Sequence, residues 1–75
     1  MMRIICFNIN GLRARPHQLK ALKEKYDPDI IALQEIKVSD EDFPDQIPTE
    51  LGFNHYNYGQ KGFHGVAIFL SLIHI

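Results

Sequence analysis

The spacing between two short apolar runs constrains the fold of this chain most. Residues 4–7 and 30–33 are each four apolar residues long, a length that favours buried strands over helices. The stretch from Gly11 to Pro28 that separates them has 18 residues, too many for a hairpin and enough for a crossover helix. The sequence therefore predicts a strand-helix-strand unit with parallel strands, the first of them covered on both faces.

The connecting segment has the signals of a helix. Pro16 suits a first helical position because its fixed φ and missing N–H cost nothing there. Leu19, Leu22 and Tyr26 recur at helical spacing, which predicts that they face the sheet together. Pro28 then breaks the helix before the second strand begins.

The second half of the chain predicts a loop followed by two more strands. Residues 38–50 are acidic and contain two prolines, so we expect a solvated loop with a short helical turn after Ser39, closed by Gly52. Residues 53–58 show the alternating side-chain pattern of a strand and are rich in aromatic side chains. Residues 65–70 form another apolar run, so we predict strands in both places. The fold class is therefore α/β.

Composition narrows the class of protein. A chain of 75 residues holds one domain at most, and a net charge of −1 gives no overall attraction to nucleic acid or to an acidic membrane surface. The single cysteine, Cys6, cannot form an intramolecular disulfide. The sequence shows neither a signal-peptide pattern nor an apolar stretch as long as a membrane span. We expect a soluble, cytoplasmic protein.

Three polar residues follow the two predicted parallel strands. Asn8 and Asn10 end the first strand, and Glu35 directly follows the second. A crossover puts both carboxyl ends at one edge of the sheet, so these side chains should converge there. A carboxylate beside two amides predicts a site for a divalent cation and a phosphate oxygen, because Mg²⁺ takes hard oxygen ligands. Two simpler interpretations stay open, namely a Glu35 turned to solvent and an Asn10-Gly11 pair that serves only as a turn.

A glycine-rich loop at residues 59–65 carries Lys61, Gly62 and Phe63. Glycines let a backbone approach a phosphate closely, and an aromatic side chain can wedge against a base or a sugar. The same pattern also fits a long hairpin turn. Because the net charge is small, any binding of a polyanion depends on the local placement of Arg13, Arg15, Lys37 and Lys61.

Four separated motifs occur in an order that one family shows. They are Phe-Asn-Ile-Asn-Gly-Leu-Arg-Ala-Arg-Pro at 7–16, Leu-Gln-Glu-Ile-Lys at 33–37, Gly-Gln-Lys-Gly at 59–62 and Gly-Val-Ala at 65–67. Read together, they resemble the opening third of the exodeoxyribonuclease III family, within the endonuclease/exonuclease/phosphatase superfamily. The resemblance covers residues 2 to about 70 without a gap.

The resemblance implies a partial four-layer α/β sandwich of the deoxyribonuclease I type. Residues 1–70 would supply the first strand-helix-strand unit and two further strands of that domain. Residues 71–75 do not continue the family pattern, so we expect an amino-terminal fragment that comes from a truncated gene model, with residues 71–75 an artefact of the truncation.

The resemblance also implies roles for individual residues. Glu35 matches the metal-binding glutamate, and Asn8 matches a catalytic asparagine beside the phosphate and the metal. Asn10 stands where some relatives have a metal-binding aspartate, so its amide would hold the metal more weakly. The residues expected to contact DNA are Arg13, Lys37, Lys61, Gly62 and Phe63.

The family consists of Mg²⁺-dependent abasic-site endonucleases and 3′-exonucleases. The leading hypothesis is therefore a monomeric DNA repair nuclease that uses Mg²⁺, or alternatively Mn²⁺, on double-stranded DNA with abasic sites or 3′ ends. Later catalytic residues of the family are missing, so we expect the chain alone to be inactive. The alternatives are a phosphodiesterase of the same superfamily acting on a phospholipid or an inositol phosphate, and a non-catalytic fragment or binding module.

Overall fold

A computed structural model of the chain describes residues 2–59 and 65–72. These residues form a four-stranded sheet with two helices, which confirms the predicted α/β class. The elements are β1 (Ile4–Asn8), α1 (Pro16–Tyr26), β2 (Ile30–Gln34), α2 (Gln46–Glu50), β3 (Phe53–Gly59) and β4 (Gly65–Ser71). Neither helix in this part of the chain has the length and apolar character needed to cross a bilayer.

The predicted strand-helix-strand unit is confirmed. β1 and β2 pair in parallel, with Asn8 opposite Gln34 at their carboxyl ends. The crossover helix α1 begins at Pro16, as predicted, and ends before Asp27, which adopts a left-handed φ of +45°. Both strands therefore finish at the same edge of the sheet.

The rest of the sheet is antiparallel. β4 lies between β2 and β3 and pairs antiparallel with both, giving the strand order β1-β2-β4-β3. The strands predicted at 53–58 and 65–70 are both present and each extends one residue further. Three predicted DNA contacts between these strands, Lys61, Gly62 and Phe63, lie outside the described residues.

One face of the sheet packs against the helices and loops to form the core. Its fully buried apolar side chains include Phe69 and Ile31 from the sheet and Leu19 from α1. The predicted inward stripe of α1 is correct for Leu19 and partly correct for Leu22, which is half-buried. It is wrong for Tyr26, which is 44% exposed because the helix ends there and the ring lies beside the Lys25 ammonium instead.

The opposite face of the sheet, here named the open face, has no described element packed over it. Its side chains stand in three rows across the strands, which are Ile4-Ile30-Leu70-Asn54, Cys6-Ala32-Ile68-Tyr56 and Asn8-Gln34-Val66-Tyr58. Tyr56 is 66% exposed and Ile4 is 58% exposed. The expectation that β1 is covered on both faces is therefore wrong for the described residues, because helices and loops pack against one face of β1 only.

The segment between β2 and β3 is less solvated than predicted. Ser39 forms the expected turn, but the helix in this segment is α2, further along the chain. Gly52 closes that helix with φ of +83°, as expected. Val38 and Phe43 are buried in the core, and Pro48 lies inside α2 and is also buried. Val38, Phe43 and the prolines of this segment therefore add to the core between its acidic residues.

Candidate functional site

The candidate site lies just beyond β1 and β2, where backbone pairing continues after both strands end. Gly11 N–H donates to Glu35 O at 2.9 Å, and Leu12 N–H donates to Ile36 O at 2.9 Å. The two segments that leave the strands therefore stay side by side. Side chains from both segments meet at one edge of the sheet, which is where open α/β sheets bind their ligands.

Asn8 and Glu35 contact each other directly at this edge. Asn8 Nδ2 donates to Glu35 Oε2, and Asn8 Oδ1 accepts the backbone N–H of Asn10 at 3.1 Å. These bonds fix the orientation of the Asn8 amide, with its nitrogen toward the carboxylate. The structure thus brings together the three residues whose convergence the topology predicted, while their chemical roles stay predictions.

Three residues of the site have a positive φ, with Asn10 at +50°, Glu35 at +52° and Lys37 at +55°. The left-handed region costs on the order of 1–3 kcal/mol for a residue with a side chain and persists where the surrounding structure fixes it. Asparagine tolerates this region better than glutamate or lysine does. Backbone strain of this kind clusters at functional sites, so its concentration here supports the choice of site.

A second side-chain contact links the two segments. Lys37 Nζ donates to Asn10 Oδ1. The network therefore runs from the carboxylate of Glu35 through Asn8 and Asn10 to the ammonium of Lys37. From the family resemblance, Asn10 was expected to bind a metal and Lys37 to contact DNA. In the structure the two residues bond to each other, so the Asn10 amide oxygen faces the Lys37 ammonium.

The oxygen donors of the site suit a divalent cation that is held through few protein ligands. Mg²⁺ keeps several waters and often takes only one or two carboxylates together with substrate phosphates. Glu35 supplies a carboxylate at the sheet edge, and Asn10 could add an amide oxygen once Lys37 releases it. In residues 2–59 and 65–72, no group of three His, Cys, Asp or Glu side chains is arranged to hold a metal.

Two of the predicted DNA-contacting residues lie in the described part of the chain. Arg13 is exposed on the segment that joins β1 to α1, three residues after Asn10. Lys37 lies within the network itself. Lys37 therefore puts one positive charge in the network that contains Glu35, whereas Arg13 is placed only on the adjoining segment.

Sequence reasoning missed two contacts, one at the site and one at the end of β3. Arg15 Nη1 donates to the main-chain oxygen of Asn10, which ties the start of α1 to the site. Asp40 Oδ1 accepts from Asn57 Nδ2 and from Gly59 N–H, each at 2.7 Å, and so anchors the end of β3. No sequence signal could have found either contact, because a side chain that bonds a distant backbone group follows no residue pattern.

Comparisons with known proteins identify the family. A profile of the Endonuclease/Exonuclease/phosphatase family matches residues 5–72. Exodeoxyribonuclease III of Haemophilus influenzae is 63% identical over 67 residues, which make up 89% of this chain and 25% of that protein. The chain therefore spans about a quarter of the length of this relative.

Solved structures share the fold. An AP endonuclease from Archaeoglobus fulgidus has a TM-score of 0.87 at 36% identity, over 93% of this chain and 27% of that one. The 3′ phosphatase NExo from Neisseria, solved bound to a product DNA hairpin, has a TM-score of 0.86 at 36% identity with the same coverage of 93% and 27%. The predicted deoxyribonuclease I-like fold is thereby confirmed for the described residues. The chain belongs to the endonuclease/exonuclease/phosphatase family and resembles its exodeoxyribonuclease III members.

Proposed function

We propose that this chain is part of a DNA repair nuclease of the exodeoxyribonuclease III type, which hydrolyses DNA phosphodiesters at abasic sites and from 3′ ends. The observation that carries the proposal is the direct bond between Asn8 and Glu35 at the edge where two parallel strands end. A carboxylate oriented by an amide, with the Lys37 ammonium in the same network, suits a phosphate ester and its divalent cation. The sequence relatives that are exodeoxyribonucleases support the same proposal.

The proposed cofactor is Mg²⁺, with Mn²⁺ as the alternative. Glu35 is its principal ligand and Asn10 a weaker one. Bound at Glu35, the ion would supply Lewis-acid stabilisation of the negative charge on a phosphate oxygen. Asn8 is the proposed orienting group, since its amide holds one carboxylate oxygen of Glu35 and leaves the other for the cation.

The proposed substrate is double-stranded DNA with an abasic site or a 3′ end, bound by a monomer in the cytoplasm. The residues proposed to contact its backbone are Arg13, Lys37, Lys61, Gly62 and Phe63. Contacts of this kind position a duplex without reading its sequence. Because the net charge is only −1, affinity would depend on this local group of cations and fall steeply as salt is added.

We propose further that the 75-residue chain has no nuclease activity by itself. Hydrolysis needs a group that takes a proton from the attacking water. Beside Glu35 the described network offers two amides and an ammonium, none of which accepts a proton at neutral pH. Nicking of an abasic duplex by the purified 75-residue chain with Mg²⁺ would contradict this part of the proposal.

A chimera tests the nuclease proposal. Residues 5–70 of this chain replace the matching segment of Haemophilus influenzae exodeoxyribonuclease III, and nicking of an abasic duplex is measured with Mg²⁺. We expect an active chimera that loses about 100-fold or more of its activity in Glu35→Gln, a loss typical of removing a metal-site group. Glu24→Gln, at an exposed position of α1, is the matched control and should stay active.

Three outcomes of this experiment would count against the assignment. An inactive chimera would mean that these residues do not build a working nuclease site. Nuclease activity that survives Glu35→Gln would show that Glu35 is not a metal ligand. Faster hydrolysis of an inositol phosphate or a phospholipid than of DNA would favour the alternative phosphodiesterase.

A further inference from the structure

We propose that Arg15 is a positioning residue that fixes the Asn10-Gly11 turn and, through it, the contact between Asn8 and Glu35. Its importance for catalysis rests on the proposed function, whereas its effect on the turn does not. The carrying observation is that Arg15 Nη1 donates to the main-chain oxygen of Asn10. Arg15 occupies the N-cap position of α1, yet its side chain makes no capping bond to that helix.

The turn that Arg15 contacts is one the chain does not adopt readily. Asn10 has φ of +50° and Gly11 has φ of +103°, so two successive residues depart from the conformations that most residues prefer. A Cβ added at Gly11 would lie 3.4 Å from Arg15 Nη1, which places the guanidinium against the turn itself. A conformation of this kind persists only where neighbouring groups fix it.

Asn10 is fixed through three of its groups. Its N–H donates to Asn8 Oδ1, its side-chain oxygen accepts from Lys37, and its main-chain oxygen accepts from Arg15. The bond to Asn8 is the step that matters for the site, because the same Asn8 amide donates to Glu35 Oε2. If the turn rotates, Asn8 Oδ1 loses its partner and the amide is no longer held toward the carboxylate.

Arg15 is itself well anchored for this role. Its N–H donates to Leu12 O at 3.2 Å, and its main-chain oxygen accepts from Gln18 N–H at 3.2 Å within the first turn of α1. Its side chain is half-buried and starts from the N-cap position of α1. The guanidinium presents donors in a fixed planar fork, which a lysine ammonium on a flexible stem does not reproduce. The helix thereby holds the turn in place.

Amide hydrogen exchange in the 75-residue chain tests the proposal directly. Gly11 and Leu12 donate their N–H groups to the segment after β2, so their exchange reports opening of the turn. We expect Arg15→Ala to speed exchange at these two amides about tenfold, the effect of losing one charge-assisted hydrogen bond. Exchange in β4 should stay unchanged. Arg13→Ala, which removes the same side chain from an exposed position two residues away, should leave both amides as they are.

Arg15→Lys keeps the proposal testable if Arg15→Ala unfolds the chain. It retains the positive charge but not the fork, so exchange at Gly11 and Leu12 should again rise. Unchanged exchange at these amides in both variants would overturn the proposal. An equal rise at every amide would also overturn it, since that result describes general destabilisation and no specific hold on the turn.

The chimera separates this proposal from the nuclease assignment. There, Arg15→Ala should lower kcat about tenfold and change KM little, because Arg15 holds the site in place and does not bind DNA. A raised KM with an unchanged kcat would instead describe a DNA contact and would overturn the positioning role. If the chimera is inactive even with Arg15 present, the nuclease assignment fails, whereas the exchange experiment still decides whether Arg15 fixes the turn.

Discussion

Asn8 uses both ends of its amide, donating to Glu35 and accepting from Asn10. An aspartate has nearly the same shape, but it can only accept hydrogen bonds when ionised. At the residue scale, the site therefore depends on the chemistry of the amide more than on its size. A substitution that keeps the shape and changes the charge separates these two contributions.

We predict that Asn8→Asp lowers the free energy of unfolding of the chain by about 1–2 kcal/mol at pH 7, because two carboxylates would then face each other. Urea unfolding at pH 7 measures this difference. Asn54→Asp, exposed on β3, is the control, and an equal loss in both variants would contradict the prediction.

At the element scale, the end of β3 lies against the backbone that follows β2. A Cβ built on Gly59 would lie 2.3 Å from Val38 O and 2.8 Å from Asp40 N, much closer than real contacts allow. The sequence analysis placed this glycine in a loop that suits either a phosphate or a long hairpin turn. The structure gives it a packing role, since only a residue without a side chain lets these segments meet.

We predict that Gly59→Ala lowers the free energy of unfolding by about 2–3 kcal/mol and Gly52→Ala by only about 1 kcal/mol. Gly52 has φ of +83° but no atom within 4 Å of an added Cβ, so alanine there adds backbone strain without a clash. Urea unfolding of both variants gives the comparison. A larger loss of unfolding free energy in Gly52→Ala than in Gly59→Ala would contradict the close approach of the backbone to Gly59.

Local signals were sufficient to predict the four strands and α1, but they did not predict the position of α2 or the contacts between elements. Pro16 and the length of the segment before β2 predicted the helix and the parallel strands. That topology was enough to predict that Asn8 and Glu35 lie close together. Tyr26 was placed wrongly because periodicity says nothing of where a helix loses contact with its sheet. The contact of Arg15 with the turn was missed because it depends on the path of the turn between β1 and α1.

At the scale of the whole molecule, the open face is the feature that bears on association of the chain. None of its twelve residues is charged, although 23% of the chain is. Three rows across four strands cover roughly 400 Å², from about 6.6 Å between rows and about 4.8 Å between strands. Three of the twelve side chains are amides and the others are apolar or tyrosine, and an exposed patch of this size is often functional. Asn8 stands at its corner, so whatever covers the face also borders the site.

We predict that the 75-residue chain by itself associates through the open face, so its weight-average mass in sedimentation experiments rises with protein concentration. Ile68 is in the middle row, and Ile68→Lys should keep the chain monomeric because burying an unpaired ammonium opposes association. Tyr26→Lys, an exposed apolar residue outside this face, should associate like the unaltered chain. Sulfate should strengthen the association, as expected for burial of apolar surface, whereas contacts between charges would weaken as salt screens them. A chain that stays monomeric at every concentration, or an Ile68→Lys variant that associates unchanged, would show that the open face does not mediate self-association.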